Sequence, residues 1–333
     1  MLIALAGCAF ASMEARAGLF CVNSQASIQT ALNTAGTNGQ DDEIDIVAGT
    51  YALTGGLAFS SGQTNMITIF GGFNADCSQF TGAETTLDGQ GTAKPLFVAN
   101  FNGNIHVEGL TFVNGLSTNN RGGGLCVVST SGDIRIDLNR FIGNRANDYA
   151  GALFANTGTG SLRIRNNLVV ANSGAVIGGM ELSQGSGEAS VVGNTIVANS
   201  SDTALVAVGL RIESGAHYTL SNNIIWNNGS GGDFGSGGPG HSRIANDIGV
   251  IQSGTVADLV QNEQSIDPQF APCAGFVCFS FELDRASPLV DTGTDTPAGG
   301  MTTSDLAGKS RKIGPHVDIG AYENDLIFAD GFE

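Results

Sequence analysis

Charge is scarce in this chain, and positive charge scarcer still. Charged residues make up 14%, against roughly 25% in an average protein. The 14 Lys and Arg are outnumbered by 31 Asp and Glu, leaving a net charge of -17, so nucleic acid is disfavoured as a partner. Beyond the first residues no apolar run reaches the roughly 18 needed for a bilayer span, so no transmembrane helix is expected. Gly does not recur at every third position, which excludes a collagen helix. Between the short strand segments that repeat along the chain, no 10–15-residue helical pattern fits. Disorder is excluded too, because 41% of residues are apolar and disorder requires low hydrophobicity with high charge. What the chain has in quantity is Gly, 49 of 333 residues, together with Asn. At this length two domains are the usual expectation, which a solenoid escapes by growing in one dimension.

Residues 1–17, MLIALAGCAFASMEARA, read as a signal peptide. Its apolar stretch is too short to span a bilayer, and Ala15-Arg16-Ala17 has the A-x-A form of a cleavage site. No basic segment precedes it, so the true start could lie upstream. Leu5-Ala6-Gly7-Cys8 also resembles a lipobox, which leaves lipid anchoring at Cys8 as the alternative route. Both place the protein outside the cytoplasm, secreted or on a bacterial cell surface. Disulfides suit that compartment. Cys273 and Cys278 are close enough to staple one loop, Cys21 and Cys77 could tie an N-terminal cap to an early coil, and Cys126 is left over. The sequence does not fix this connectivity. Zinc is a weak reading, since no further Cys or His pair accompanies Cys273 and Cys278.

Internal repeats carry the fold. Five segments align: IHVEGLTFVNG from Ile105, IRIDLNRFIGN from Ile134, LRIRNNLVVAN from Leu162, ASVVGNTIVAN from Ala189 and YTLSNNIIWNN from Tyr218. Their starts are 29, 28, 27 and 29 residues apart. Apolar residues alternate within each as in a strand with one buried face, with Ile134, Ile136 and Leu138 expected inward and Arg135 and Asp137 outward. A second register follows, in which Leu125, Leu153, Met180 and Leu210 are equivalent. The spacing predicts an all-β chain, a right-handed parallel β-helix of about 27–30 residues per coil, its strands stacked about 4.8 Å apart. Leucine-rich repeats share the period but need an L-x-x-L-x-L spacing that is absent.

Asn forms two ladders in this alignment. One holds Asn114, Asn144, Asn172, Asn199 and Asn228, the other Asn139, Asn167, Asn194 and Asn223. Asn tolerates the left-handed conformation at tight turns, and stacked amides can hydrogen-bond from coil to coil. Ile44 to Val47, Ile67 to Phe70, Thr86-Leu87 and Leu96 to Val98 read as strands of earlier coils. Ser27 to Thr34 reads as a capping helix with Ile28, Ala31 and Leu32 on one face. The expected organisation is one β-helix over 18–323, with 18–60 as cap and first coil, 267–323 as C-terminal coils and 324–333 as a tail. A monomer is expected.

The segments VAGTYALTGG, ITIFGGFNADC and TTLDGQG resemble the N-terminal coils of secreted bacterial β-helix proteins of the pectin-lyase-like superfamily. SPLVDTGTD followed by DLAGKSRKIGPHVDIGAYE is similar to the C-terminal region of choice-of-anchor Q proteins. The final DLIFADGFE looks like short tails of secreted gammaproteobacterial proteins. The resemblance implies a secreted or surface β-helix, often without known activity.

Chemistry is harder to read. A lyase needs a base and a cation on the uronate carboxylate, and a hydrolase needs paired carboxyl groups about 5–9.5 Å apart. The N-T-D, D-D, G-H-G and R-I-K elements of polygalacturonases are absent, and Asp41-Asp42 precedes the repeats. The repeat arithmetic stacks His106, Arg135 and Arg163 in one outward column, and Glu108, Asp137 and Arg165 in the next. This patch could bind an anionic glycan, or it could be cross-strand pairing such as Asp137 with Arg165. Lys309-Ser310-Arg311-Lys312 reads as a loop, and His316, Asp318 and Glu323 as part of a final strand. No cofactor is assigned, although Asp291, Asp295 and Asp305 could supply oxygens to calcium. Phe154 and Trp226 could stack on sugars, Phe154 facing outward near Cys126 and Trp226 capping a coil. Three functions remain open: adhesion or glycan binding without catalysis, a polysaccharide lyase or hydrolase with a diverged site, and a purely structural passenger on the cell surface.

Overall fold

The computed structural model describes residues 18–118, 121–203, 206–238, 240–272 and 281–324. The leader, the Cys273 and Cys278 pair and the last nine residues lie outside them.

The described chain is an all-β solenoid, a parallel β-helix, with one short helix. Three sheets run its length, of ten, eight and seven strands, and a fourth sheet has four two-residue strands. The coil that begins at Ile134 shows the plan. Ile134–Asp137 lies in the first sheet, Arg140–Ile142 in the second, Arg145–Ala146 in the short one and Leu153–Thr157 in the third. Each strand pairs in parallel with its counterparts in the coils before and after. In the first sheet Ile105 is level with Ile134, Leu162, Ala189 and Tyr218. In the third, Leu125, Leu153, Met180 and Leu210 are level. The register therefore follows the repeat alignment.

Strand alternation fills the interior. Ile134, Ile136, Leu162 and Ile164 point in from the first sheet and are buried, and Phe112 stacks on Phe141 from the second with ring centroids 5.0 Å apart. The N-terminal end is closed by the helix Gln25–Ala35, whose buried face is Ile28, Ala31, Leu32 and Ala35. Ser24 caps it reciprocally with Ser27, satisfying backbone donors the first turn leaves unpaired. A disulfide joins Cys21 to Cys77, and Cys126 is free and buried.

The corners correct several expectations. Leu138 does not point inward: it sits at the turn between the first two sheets with φ 56° and packs on the outside of the solenoid. Gly109, Asn166, Gly193, Asn222 and Ala245 take the same left-handed conformation in neighbouring coils. The ladder Asn follows that residue and is not left-handed itself. The ladder Asn139, Asn167, Asn194 and Asn223 continues to Asn246. The other runs Asn144, Asn172, Asn199 and Asn228 and ends on Asp233. Asn114 is one residue out of register. It is itself left-handed, φ 48°, and donates to Asp88, while the backbone N–H of Gly115 meets the ladder at Asn144.

Residues 281–324 add no strand to the sheets; among them only isolated bridges form. This segment, expected as coils with a final strand, instead straps the outer face of the second sheet. Leu283, Leu289, Leu306, Ile319, Ala321 and Tyr322 pack there against Leu168, Val170, Val197 and Ile224. Trp226 joins this cluster at the edge and does not cap a coil. The strands Leu168–Val170, Thr195–Val197 and Ile224–Trp226 are thus covered on both faces, which accounts for their LVV, TIV and IIW runs.

Candidate functional site

The outer face of the first sheet brings the sequence-derived residues together. Arg135 lies between His106 and Arg163, and Asp137 between Glu108 and Arg165. Parallel pairing at about 4.8 Å makes neighbours of residues nearly thirty positions apart.

Asp137 is the hub, and it is not solvated. It is wholly buried beneath its partners. Arg165 donates from Nε to Oδ1 at 2.9 Å and from Nη2 to Oδ2 at 2.6 Å, and Arg135 Nη2 donates to Oδ2 at 3.1 Å. His106 Nε2 lies 2.8 Å from Glu108 Oε2 and 3.5 Å from Asp137 Oδ2, ion-pair distances without a well-aligned hydrogen bond. Burial pushes the Asp137 carboxyl up, but Arg165 and His106 outweigh it and hold the pKa at about 2. Burial pulls the His106 imidazole down, and Asp137 and Glu108 more than reverse that, so its pKa is raised.

Exposure separates the guanidinium groups. The Arg165 side chain is 11% exposed and committed to Asp137, whereas Arg135 is 42% and Arg163 32% exposed. Arg163 lies 3.9 Å from the Asp133 carboxylate, at the edge of ion-pair range. Arg163 also borders a surface hollow of about 350 Å³ with Glu188, Ser190, His217 and Thr219.

Atoms of His106, Glu108 and Asp137 lie within 4.8 Å of one another, a spacing that suits a metal ion. Two arginines already direct N–H groups at Asp137, so a cation would have to displace them. The aspartates considered for calcium are each engaged by protein groups. Asp305 Oδ1 accepts from the Ala307 and Lys309 N–H groups, Asp291 Oδ1 from His316 N–H, and Asp295 pairs with Lys312. In the strap, Arg311 is buried on Glu323 and donates to the carbonyls of Asp318 at 3.0 Å and Gly320 at 2.7 Å.

On the third sheet the sequence reading placed Phe154 outward near Cys126, but missed the charged residues around it. Phe97, Cys126, Phe154, Glu181 and Arg211 form one outward column. Arg121 lies over the rings of Tyr149 and Phe154, 4.7 and 5.1 Å from their centroids, and reaches Glu181 Oε1 at 2.7 Å. Burial pushes the Glu181 carboxyl up to about 7 despite Arg121. The signal was present one position after Leu125, Leu153, Met180 and Leu210. Phe154 is nearly buried at 8% exposure, so it offers no open platform.

No family model, curated protein or solved structure matches this chain. Its assignment as a parallel β-helix rests on the strand pairing itself.

Proposed function

We propose that this is a secreted or cell-surface β-helix protein that binds an anionic glycan on its first sheet without cleaving it. The observation that carries the reading is the half-exposed pair Arg135 and Arg163, aligned one coil apart on a rigid face beside an open hollow. Guanidinium groups favour carboxylate or sulfate substituents, and a spacing set by the solenoid suits a repeating polymer. The pectin-lyase-like and choice-of-anchor Q resemblance supports export, as does a disulfide.

Catalysis is the weaker reading. A hydrolase needs two carboxyl groups that both reach the sugar, and Asp137 is sealed beneath Arg165. A lyase needs a basic group, and the carboxylates around His106 favour its cation.

The test is equilibrium binding of residues 18–333 to uronate, sulfated and neutral polysaccharides, with and without Ca²⁺, alongside assays for unsaturated products and new reducing ends. The expected result is saturable binding, weakened at least tenfold in Arg135→Glu/Arg163→Glu, with no product. Product formation lost in Arg163→Ala would replace binding by catalysis.

A further inference from the structure

We infer that the corner between the first and second sheets carries a groove for one neutral sugar ring, a reading that rests on the glycan-binding function above and extends it. The groove is about 310 Å³, at the small end of the roughly 300–1,000 Å³ typical of ligand pockets. It is lined by Phe70 and Glu108, by the loop that carries Phe80, and by the strap turn at 304–308.

The aromatic ring is the first argument. Phe80 is 50% exposed, yet it is not a loose surface side chain. Its centroid lies 5.0 Å from that of Phe70 and 5.9 Å from that of Phe73. Phe80 bridges to Phe73, Thr81 N–H donates to Gly72 O at 2.8 Å, and Asn74 N–H donates to Gln79 O at 3.0 Å. The Cys21–Cys77 disulfide anchors the same loop. A ring fixed in place and open to solvent offers a ready stacking surface, and the C–H face of a pyranose fits a single flat ring.

The strap turn is equally fixed. Leu306 N–H donates to Ala321 O at 3.0 Å, and Asp305 gathers the turn through the Ala307 and Lys309 N–H groups. Binding there requires little ordering, which favours affinity.

Charge selects the class of sugar. Among the described residues Arg140 is the one guanidinium lining the groove, and its Nη2 donates to Leu306 O at 2.8 Å. Glu108 is paired with His106 at 2.8 Å, and Glu84 stands exposed at the rim. A uronate would meet Glu84 and Glu108, with a third carboxylate, Asp305, engaged in the turn, against a single guanidinium that is already held by a carbonyl. Neutral hydroxyls would find acceptors in Glu84 and Glu108.

The experiment titrates the full chain with neutral, uronate and amino-sugar disaccharides by calorimetry, and repeats it on three variants. Neutral disaccharide binding is expected, weakened at least tenfold by Phe80→Ala, abolished by Ala307→Trp, which fills the groove from an exposed position, and unchanged by Arg135→Glu/Arg163→Glu. Uronate binding that responds only to the arginine reversal, with neutral sugars silent, overturns the groove while leaving the glycan-binding reading intact. Amino-sugar binding alone, lost in Phe80→Ala, overturns neutral selectivity in favour of a cation site. Silence from all ligands, the polysaccharide panel included, removes both readings.

Discussion

Arg165 grips Asp137 from the next coil with two hydrogen bonds, one to each carboxylate oxygen, 2.9 and 2.6 Å long. The pair is separated by 28 residues in sequence and by one strand spacing in space. Its burial makes the outer face of the first sheet a structural device as well as a surface.

Asp137→Asn should therefore be costly despite its near-identical shape. It leaves Arg165 partly buried without its counter-charge, and breaking one side of a buried pair typically costs about 3–5 kcal/mol. The pH sign follows from the carboxyl pKa, about 2 when folded against 3.8. The unfolded chain binds the proton more readily, so the contribution is present above pH 3.8 and is lost as pH falls through 2. It amounts to about 2 kcal/mol. Urea titrations across this range should show a steeper acid loss in the wild type than in Asp137→Asn.

The ladders should be as sensitive. Asn172 accepts from the backbone N–H and Nδ2 of Asn144, both at 2.9 Å, and donates to Phe141 O, Val170 O and Asn199 Oδ1. Asn172→Ala strands several buried groups at about 1–3 kcal/mol each, and a loss of at least about 3 kcal/mol is expected. Asn114→Gly, outside the ladder and at a left-handed φ of 48° that glycine adopts freely, should lose less than about 1 kcal/mol. Parallel denaturant curves of the two variants test the contrast; similar losses would mean that the ladder bonds contribute little.

That contrast marks where the sequence was legible. Ile134, Leu162 and their equivalents stand out because strand alternation has a period of two and each coil repeats it. The columns through Arg135 and Asp137 follow from the same arithmetic. Burial of Asp137 does not, because the covering atoms are the far ends of side chains from other coils. Asn114 was misplaced because VNG and IGN differ by one position at the corner, where the glycine can stand on either side of the Asn. The strap was hidden because IGAY is as apolar as a strand. The clue lay in its partner: Leu168-Val169-Val170 is apolar at every position, as a sheet covered on both faces requires.

The C-terminal end of the core predicts an acid weakness. His241 occupies an inward position, stacked on Tyr218 at 4.9 Å, with both ring nitrogens buried and without a hydrogen-bond partner. Burial, aided by the Arg243 charge, lowers its pKa to about 4 from 6.5. The unfolded chain protonates first on acidification, so this contribution is present above pH 6.5 and is lost as pH falls through 4. It is worth about 3 kcal/mol. His241→Phe keeps the stack without the titration and should raise Tm more at pH 5 than at pH 8. An equal shift at both values would show that the imidazole does not titrate against folding.

Detachment of the strap should be visible through Trp226, the single tryptophan of the chain, which packs at the edge of the strap cluster. Arg311→Ala removes the side chain that joins Glu323 to the carbonyls of Asp318 and Gly320, at a cost of about 3–5 kcal/mol for the abandoned buried partner. Red-shifted Trp226 emission and faster hydrogen exchange in Leu168–Val170 and Thr195–Val197 are expected, with the first sheet protected as before. Uniformly faster exchange would instead make the strap part of a single cooperative unit with the coils.

The disulfide separates stability from the proposed groove. Cys21 and Cys77 are 56 residues apart in sequence, and closing a loop of that length is worth about 4 kcal/mol in the chain-entropy account. Cys21→Ser/Cys77→Ser should lower the denaturation midpoint accordingly. It should also free the Phe80 loop from its tether to the first strand, while Arg135 and Arg163, placed by coils further along, keep their spacing. Neutral-sugar affinity should then fall in the folded variant, and uronate binding should hold. Loss of both together, in a variant still folded by circular dichroism, would mean that the tether shapes the whole face and that the groove and the arginine pair form one site.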